Sequence, residues 1–260
     1  MSAKQFNPNI LGFLCNWCCY AAADAAGVAR YQYPPNIRVI RVMCSGRMDA
    51  IFPLEGLLNG ADGVFIGGCH LGDCHYQSGN YEALGTIRLC KLLLEAAGVN
   101  PKRVTLEWAS AAEAPQFVEH VTRFTRDVTA LGPLGSSEGL DRAELRLKLS
   151  AARDAAQGRK LRLSFGQAAK KLHQEGVVKP DIIEERVREA MSELVRGEVA
   201  QAEMLLRLAA GPATAQELAA KVNLPLAAAE ERLAALAKRG RLIQEGASFR
   251  LPAEPQAATA

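Results

Sequence analysis

Ile10-Leu11-Gly12-Phe13-Leu14-Cys15, Ile37-Arg38-Val39-Ile40-Arg41-Val42-Met43-Cys44 and Val64-Phe65-Ile66-Gly67-Gly68-Cys69 are three short apolar runs, each closed by a cysteine. All are rich in β-branched or aromatic residues and bounded by Gly, Pro or Asn, as strands tend to be. Between them, the Ala-rich stretch 16–28 and residues 47–58 have helical character. Strand, helix, strand, helix, strand predicts an α/β domain on a doubly wound parallel sheet. In such a sheet the carboxyl ends of the strands share one edge, and ligands bind in the crevice there. Cys15, Cys44 and Cys69 are therefore predicted to converge, although 29 and 25 residues separate them in sequence.

Outward from these runs, the cysteines stay clustered: six of the seven fall in the first 74 residues and residues 91–260 hold none. The two ends of the chain are thus predicted to do different jobs. The Gly- and Ser-containing stretch 131–139 is the clearest linker signal. It divides a cluster-binding domain, 1–135, from a helical connector, 141–198, and a small winged-helix-like domain, 199–252. Up to residue 140 there are 11 Lys+Arg against 12 Asp+Glu, and beyond it 20 against 16, so the basic excess belongs to the C-terminal part. No segment approaches the roughly 20 apolar residues of a membrane span, and the start does not resemble a secretory signal. A cytoplasmic protein is expected, where clustered cysteines bind metal or do redox work more often than they form structural disulfides.

Cys15-Asn16-Trp17-Cys18 is a CxxC at the end of the first strand, and Cys69-His70-Leu71-Gly72-Asp73-Cys74 is a Cx4C at the end of the third. A CxxC after a strand also suits thiol-disulfide exchange, because a helix N-terminus stabilises a thiolate. Exchange needs only two cysteines, however, and five are predicted on one edge. Four thiolates around a tetrahedral metal or a [2Fe-2S] pair account for them more simply. Structural zinc usually staples a module without a core; a domain with its own sheet favours iron-sulfur. Cys44, Cys69 and Cys74 are the firm ligand candidates, while Cys15 and Cys18 compete for the fourth place. Cys19 points away from Cys18 around the helix turn, and Cys90 falls within an apolar helical pattern; both read as packing residues. His70 and His75 each follow a cysteine too closely for a Rieske-type site, and are expected to hydrogen-bond sulfurs or backbone and so tune the potential.

The segment 141–198 is dense in charge and in Leu and Ala. It predicts a helix capped by Asp141, a second over 165–175, and a third over 181–196 that ends at Gly197. Residues 199–209, 214–222 and 226–239 predict three more helices, and 242–251 a hairpin, an order similar to winged-helix domains. Base readout favours Arg, Asn and Gln near a recognition helix N-terminus. Here Glu230 and Glu231 precede Arg232 amid alanines, so docking to a partner subunit is the stronger expectation and nucleic-acid binding the weaker. A redox- or metal-sensing winged-helix transcription factor remains the alternative function. The tail 252–260 is expected to be flexible. No GxGxxG follows a strand, no Walker loop is present and no paired carboxylates share a loop, so independent catalysis is not expected.

Several stretches together resemble the delta subunit family of methyl-viologen-reducing hydrogenase. They are Cys15-Asn16-Trp17-Cys18 with Tyr20, Gln32-Tyr33-Pro34-Pro35-Asn36, Arg41-Val42-Met43-Cys44-Ser45-Gly46-Arg47, Gly68-Cys69-His70-Leu71-Gly72-Asp73-Cys74-His75-Tyr76, Ser78-Gly79-Asn80-Tyr81 and Leu106-Glu107-Trp108. The resemblance covers residues 10–133. It implies one [2Fe-2S] cluster and a non-catalytic electron-transfer role in an anaerobic oxidoreductase complex. The electrons would pass between a hydrogenase- or formate-dehydrogenase-like module and a flavoprotein resembling the flavin subunit of heterodisulfide reductase, where the flavin can bifurcate electrons. Within that picture Ser45, Gly46 and Arg47, directly after a ligand, offer N–H groups and a guanidinium to an anionic cluster.

Overall fold

The computed structural model describes residues 6–252. Four parallel strands, β1 (Ile10–Cys15), β2 (Ile37–Val42), β3 (Gly63–Gly68) and β4 (Val104–Trp108), form a sheet in the order β2-β1-β3-β4. β1 pairs Ile10 with Ile37 on one side and with Gly63 on the other. All six residues of β3 are buried, which explains why it reads as an unbroken apolar run rather than an alternating one.

Alternation along the strands sorts the core into two faces. Ile10, Leu14 and Phe65 pack with α1 (Cys19–Val28) and α4 (Ala114–Leu131), through Ala22, Phe117, Val121 and Phe124. Phe13, Val64 and Ile66 face α2 (Ile51–Leu58) and α3 (Gly79–Ala96), through Leu54, Ile87 and Leu93. Helices on both faces of a parallel sheet make the predicted doubly wound fold. The strand order reverses between β1 and β3, the place where such sheets bind ligands.

A third layer lies outside α2 and α3. It consists of α5 (Arg142–Gln157), α6 (Arg159–Gln174) and α7 (Pro180–Ala210). Leu145, Leu149, Leu161, Val187, Met191 and Val195 continue the core of the α2/α3 face without a break. Asp141 caps α5, accepting from the N–H groups of Ala143 and Glu144. The stretch 131–139, expected to be a linker, is fastened around Arg103. This arginine is fully buried, and its guanidinium donates to the Glu138 carboxylate (2.7 and 3.0 Å), Ser137 Oγ and the carbonyls of Asp62, Gly132 and Pro133.

Two helices differ from their predicted extents. α6 starts six residues before 165, with Gly158 both ending α5 and opening α6. α7 runs through Gly197 instead of stopping there. A glycine inside a helix costs about 1 kcal/mol, and here it makes room: a Cβ at Gly197 would lie 2.6 Å from the Arg232 guanidinium.

The remaining elements are β5 (Ala213–Thr214), α8 (Ala215–Lys221), α9 (Leu226–Lys238), β6 (Ile243–Glu245) and β7 (Ser248–Arg250). Their antiparallel sheet has the order β5-β7-β6. With the end of α7 they enclose a separate core of Met204, Leu208, Leu218, Leu233, Leu236 and Phe249. Thr214 and Glu217 form a reciprocal capping box on α8. The tail expected to be flexible lies, beyond Pro252, outside the described residues. Among the described residues no helix is long and apolar enough to cross a membrane.

Candidate metal centre

The carboxyl edge of the sheet carries five thiols in two groups. Cys15 ends β1, Cys18 lies in the turn before α1, and Cys69 follows β3; their sulfurs all lie within 4.8 Å of one another and all three residues are buried. Cys44, after β2, and Cys74, in the loop before α3, form the second group, with their sulfurs 3.7 Å apart. The Cys15 and Cys69 sulfurs are 3.8 Å apart. Two thiolates sharing one tetrahedral ion at about 2.3 Å stand about 3.8 Å apart, so both groups already have ligand spacing. A disulfide would require about 2.05 Å, and all seven cysteines are free.

Backbone N–H groups converge on these sulfurs. Gly46 donates to Cys44 at 3.3 Å. The backbone of Trp17 near Cys15 and that of His75 near Cys69 favour the anionic sulfur. Four of the thiols, Cys15, Cys18, Cys44 and Cys69, are nonetheless shifted toward their neutral form. Cys15 is raised by its bond with Cys18 and then by burial. Cys18, lowered by Cys15, is raised overall by Cys19 and burial. Burial lifts Cys69, and pushes Cys44 up to about 11. Packed, desolvated thiols without a cation favour their neutral form; a bound metal inverts that preference and deprotonates them. The donor set fits an iron-sulfur cluster.

Three close approaches shape the pocket. A Cβ at Gly79, the first residue of α3, would overlap the Cys44 sulfur and lie 3.2 Å from that of Cys74; one at Gly46 would lie 2.7 Å from Gly79 Cα. A Cβ at Gly68 would lie 2.6 Å from the Trp108 ring. Asn80, fully buried, donates its amide to the carbonyls of His70 (2.6 Å) and Cys69 (3.3 Å), fixing the Cx4C loop from inside. Neither the glycine contacts nor this role of Asn80 was read from the sequence. A glycine beside each cysteine run was the available signal, but the partner of each contact is distant in the chain.

The other expected site residues lie around the thiols. The His70 ring bonds the Glu113 carboxylate (2.6 Å) rather than a sulfur. The Glu113 carboxyl is held down at about 2, first by the Ser110 N–H and then by His70. The His75 ring stacks on Trp17 at 3.7 Å, and the Trp17 indole donates to the Tyr76 hydroxyl, tying the CxxC turn to the Cx4C loop. His75 acts on a sulfur through its backbone, which favours the anionic form of Cys69. Arg47 lays its exposed guanidinium over the Phe52 ring, 5.0 Å from the centroid. Cys19 turns from the group and donates to the carbonyls of Gly68 (3.4 Å) and Ala109 (3.8 Å). Cys90 is fully buried in α3, its thiol pushed up to about 12 by burial.

The family described as methyl-viologen-reducing hydrogenase, delta subunit, matches residues 10–132. The iron-sulfur subunit of a hydrogenase from Archaeoglobus profundus is 52% identical over 131 residues, 50% of this chain and 96% of that protein. A second hydrogenase iron-sulfur subunit, from Methanococcus voltae, is 49% identical over 131 residues, 50% of this chain and 91% of its own length. A ferredoxin:CoB-CoM heterodisulfide reductase subunit from Methanosarcina mazei is 46% identical over 133 residues, which are 51% of this chain and 17% of that one.

Proposed function

Through residues 10–132 the chain belongs to the methyl-viologen-reducing hydrogenase delta-subunit family, and we propose that it is an electron-transfer subunit that carries a [2Fe-2S] cluster. Such a cluster, when bound, accepts and releases single electrons. Cys44, Cys69 and Cys74 would hold it together with Cys15 or Cys18. The observation that carries this reading is the grouping of the thiols into a pair and a triad. Two irons with two thiolates each need that arrangement, and it leaves one thiol of the triad to spare, whereas a single zinc would need only one compact tetrad. Gly46, Trp17 and His75 supply backbone N–H groups that favour anionic sulfur.

The protein's own residues leave the site close to the surface: Cys44 is half-buried, and Trp17 and Tyr76 are 42% and 49% exposed beside it. A redox partner can therefore approach. We assign the donor to a hydrogenase- or formate-dehydrogenase-like module and the acceptor to a flavoprotein resembling that of heterodisulfide reductase, in a cytoplasmic complex. The occurrence of the same domain within a heterodisulfide reductase chain supports that pairing. Flavin chemistry, including any bifurcation, belongs to that partner. The elements from 199 to 252 are read as a winged-helix-like unit that docks to a partner subunit.

Serine substitution tests the ligand set. Cys44→Ser, Cys69→Ser and Cys74→Ser should each abolish the visible absorption of the anaerobically reconstituted protein. Of Cys15→Ser and Cys18→Ser, one should keep it, whereas Cys19→Ser and Cys90→Ser should both retain it. A cluster that survives loss of both Cys15 and Cys18 would contradict the assignment.

A further inference from the structure

β2 is the outer strand of the sheet on the side of β1, and no described strand pairs with its free edge. Its four central residues, Arg38, Val39, Ile40 and Arg41, are all exposed. Val39 is 43% and Ile40 46% exposed, although their side chains point to opposite faces. β2 thus projects beyond the helices that bury β1 and β3. Ile10 N–H donates to the Asn36 carbonyl and Asn16 N–H to that of Val42. With the register Ile10 to Ile37, this assigns the backbone groups of residues 36, 38, 40 and 42 to β1. The N–H and C=O groups of Ile37, Val39 and Arg41 consequently face outward.

The edge leads straight to the thiols. Met43, 55% exposed, and Cys44 follow β2 directly. Charge is one-sided: residues 25–48 contain Arg30, Arg38, Arg41 and Arg47 and no Asp or Glu. None of the four arginines has a carboxylate partner among the described residues. Edge charges commonly serve to deter pairing. Here, however, they flank two adjacent exposed aliphatic residues on a six-residue strand. Two copies of β2 paired at full overlap would set Arg38 and Arg41 of each against Ile40 and Ile37 of the other and gather four arginines on one ribbon with no carboxylate, whereas an acidic occupant would pair them.

We propose that β2 is the docking edge for the redox partner: an extended, acidic segment of the flavoprotein pairs with Ile37, Val39 and Arg41 as a further strand, seating that protein beside the cysteine cluster. Backbone bonds supply affinity in this mode, and the side chains on either face supply choice of partner. This inference rests on the electron-relay reading of the same site.

Val39→Pro tests it, since proline removes an outward N–H while the bonds to β1 stay intact. The iron-loaded protein carrying Val39→Pro should keep its visible spectrum and melting temperature and bind the flavoprotein about tenfold or more weakly, the equivalent of about 1.4 kcal/mol. Arg38→Glu combined with Arg41→Glu should weaken binding similarly without altering the backbone, and carries the test if proline disturbs the fold. In the wild-type complex the amides of Ile37, Val39 and Arg41 should exchange with deuterium at least about tenfold more slowly than in the free protein. Equal binding by wild type and variants, with unchanged exchange, would overturn the docking edge alone. A wild-type dimer that Val39→Pro converts to monomer would assign the edge to a second copy and overturn it too. Failure of the iron-loaded wild type to bind the flavoprotein at all would instead sink the relay reading and this inference together.

Discussion

Gly79 stands where α3 begins and where the sulfurs of Cys44 and Cys74 meet. No side chain fits there, because its first carbon would occupy the space of the Cys44 sulfur. Overpacking of this kind costs about 1–3 kcal/mol, and here the strain falls on the ligands. Gly79→Ala is expected to fold, since alanine suits a first helical turn, but to retain iron about tenfold less well; metal analysis after desalting would measure it, and wild-type retention would show the contact to be dispensable. Cys15, Cys44 and Cys69 were legible because each closes a strand-like run, and topology then determines where strand ends go. Their sorting into a triad and a pair was not, since it depends on loop shapes set by residues such as Asn80, whose bonds to the Cys69 and His70 carbonyls leave no mark in local sequence. The histidines illustrate the same limit. Their adjacency to cysteines suggested bonds to sulfur, yet Glu113, 43 positions from His70, takes that ring, and Trp17 takes the ring of His75.

Arg103 governs how the sheet domain joins the helices outside it. Its side chain and that of Glu138 are 0% and 2% exposed, and the guanidinium fork also gathers the Gly132 and Pro133 carbonyls at the start of the 131–139 turn and Ser137 Oγ near its end. Glycine and serine there resemble a linker, but the glycines serve turns, as at Gly135 with φ +96°, and the stretch is bound at several points. Removing one partner of a buried, hydrogen-bonded ion pair costs about 3–5 kcal/mol. Arg103→Met should lower the unfolding free energy by about that amount in urea titrations; a change below about 1 kcal/mol would mean that the turn is held by other contacts. Gly197 misleads in the same way. Local pattern reads a helix stop, whereas the structure uses the missing side chain to admit Arg232 from α9. In both cases a small residue answers a neighbour remote in sequence, so strand and helix identities were readable while their joints were not.

Over the whole molecule, a parallel sheet brings five thiols from three separate stretches to one edge, a layer of helices extends its core, and a small C-terminal unit stands on the end of α7 with a core of its own. The doubly wound architecture was legible because apolar runs and turn residues agree along β1 to β3. The exposure of β2 was less so: its sequence reads as a short apolar run like those of β1 and β3, and only the packed helices reveal that it projects past them. A cysteine site beside an open, basic strand edge fits the proposed electron-transfer subunit. The central claim is the cluster, and metal and sulfide analysis combined with EPR of the anaerobically purified wild-type protein tests it most directly. About two irons and two sulfides per chain, with a paramagnetic signal that appears on one-electron reduction, are the predicted result; zinc without iron would contradict it.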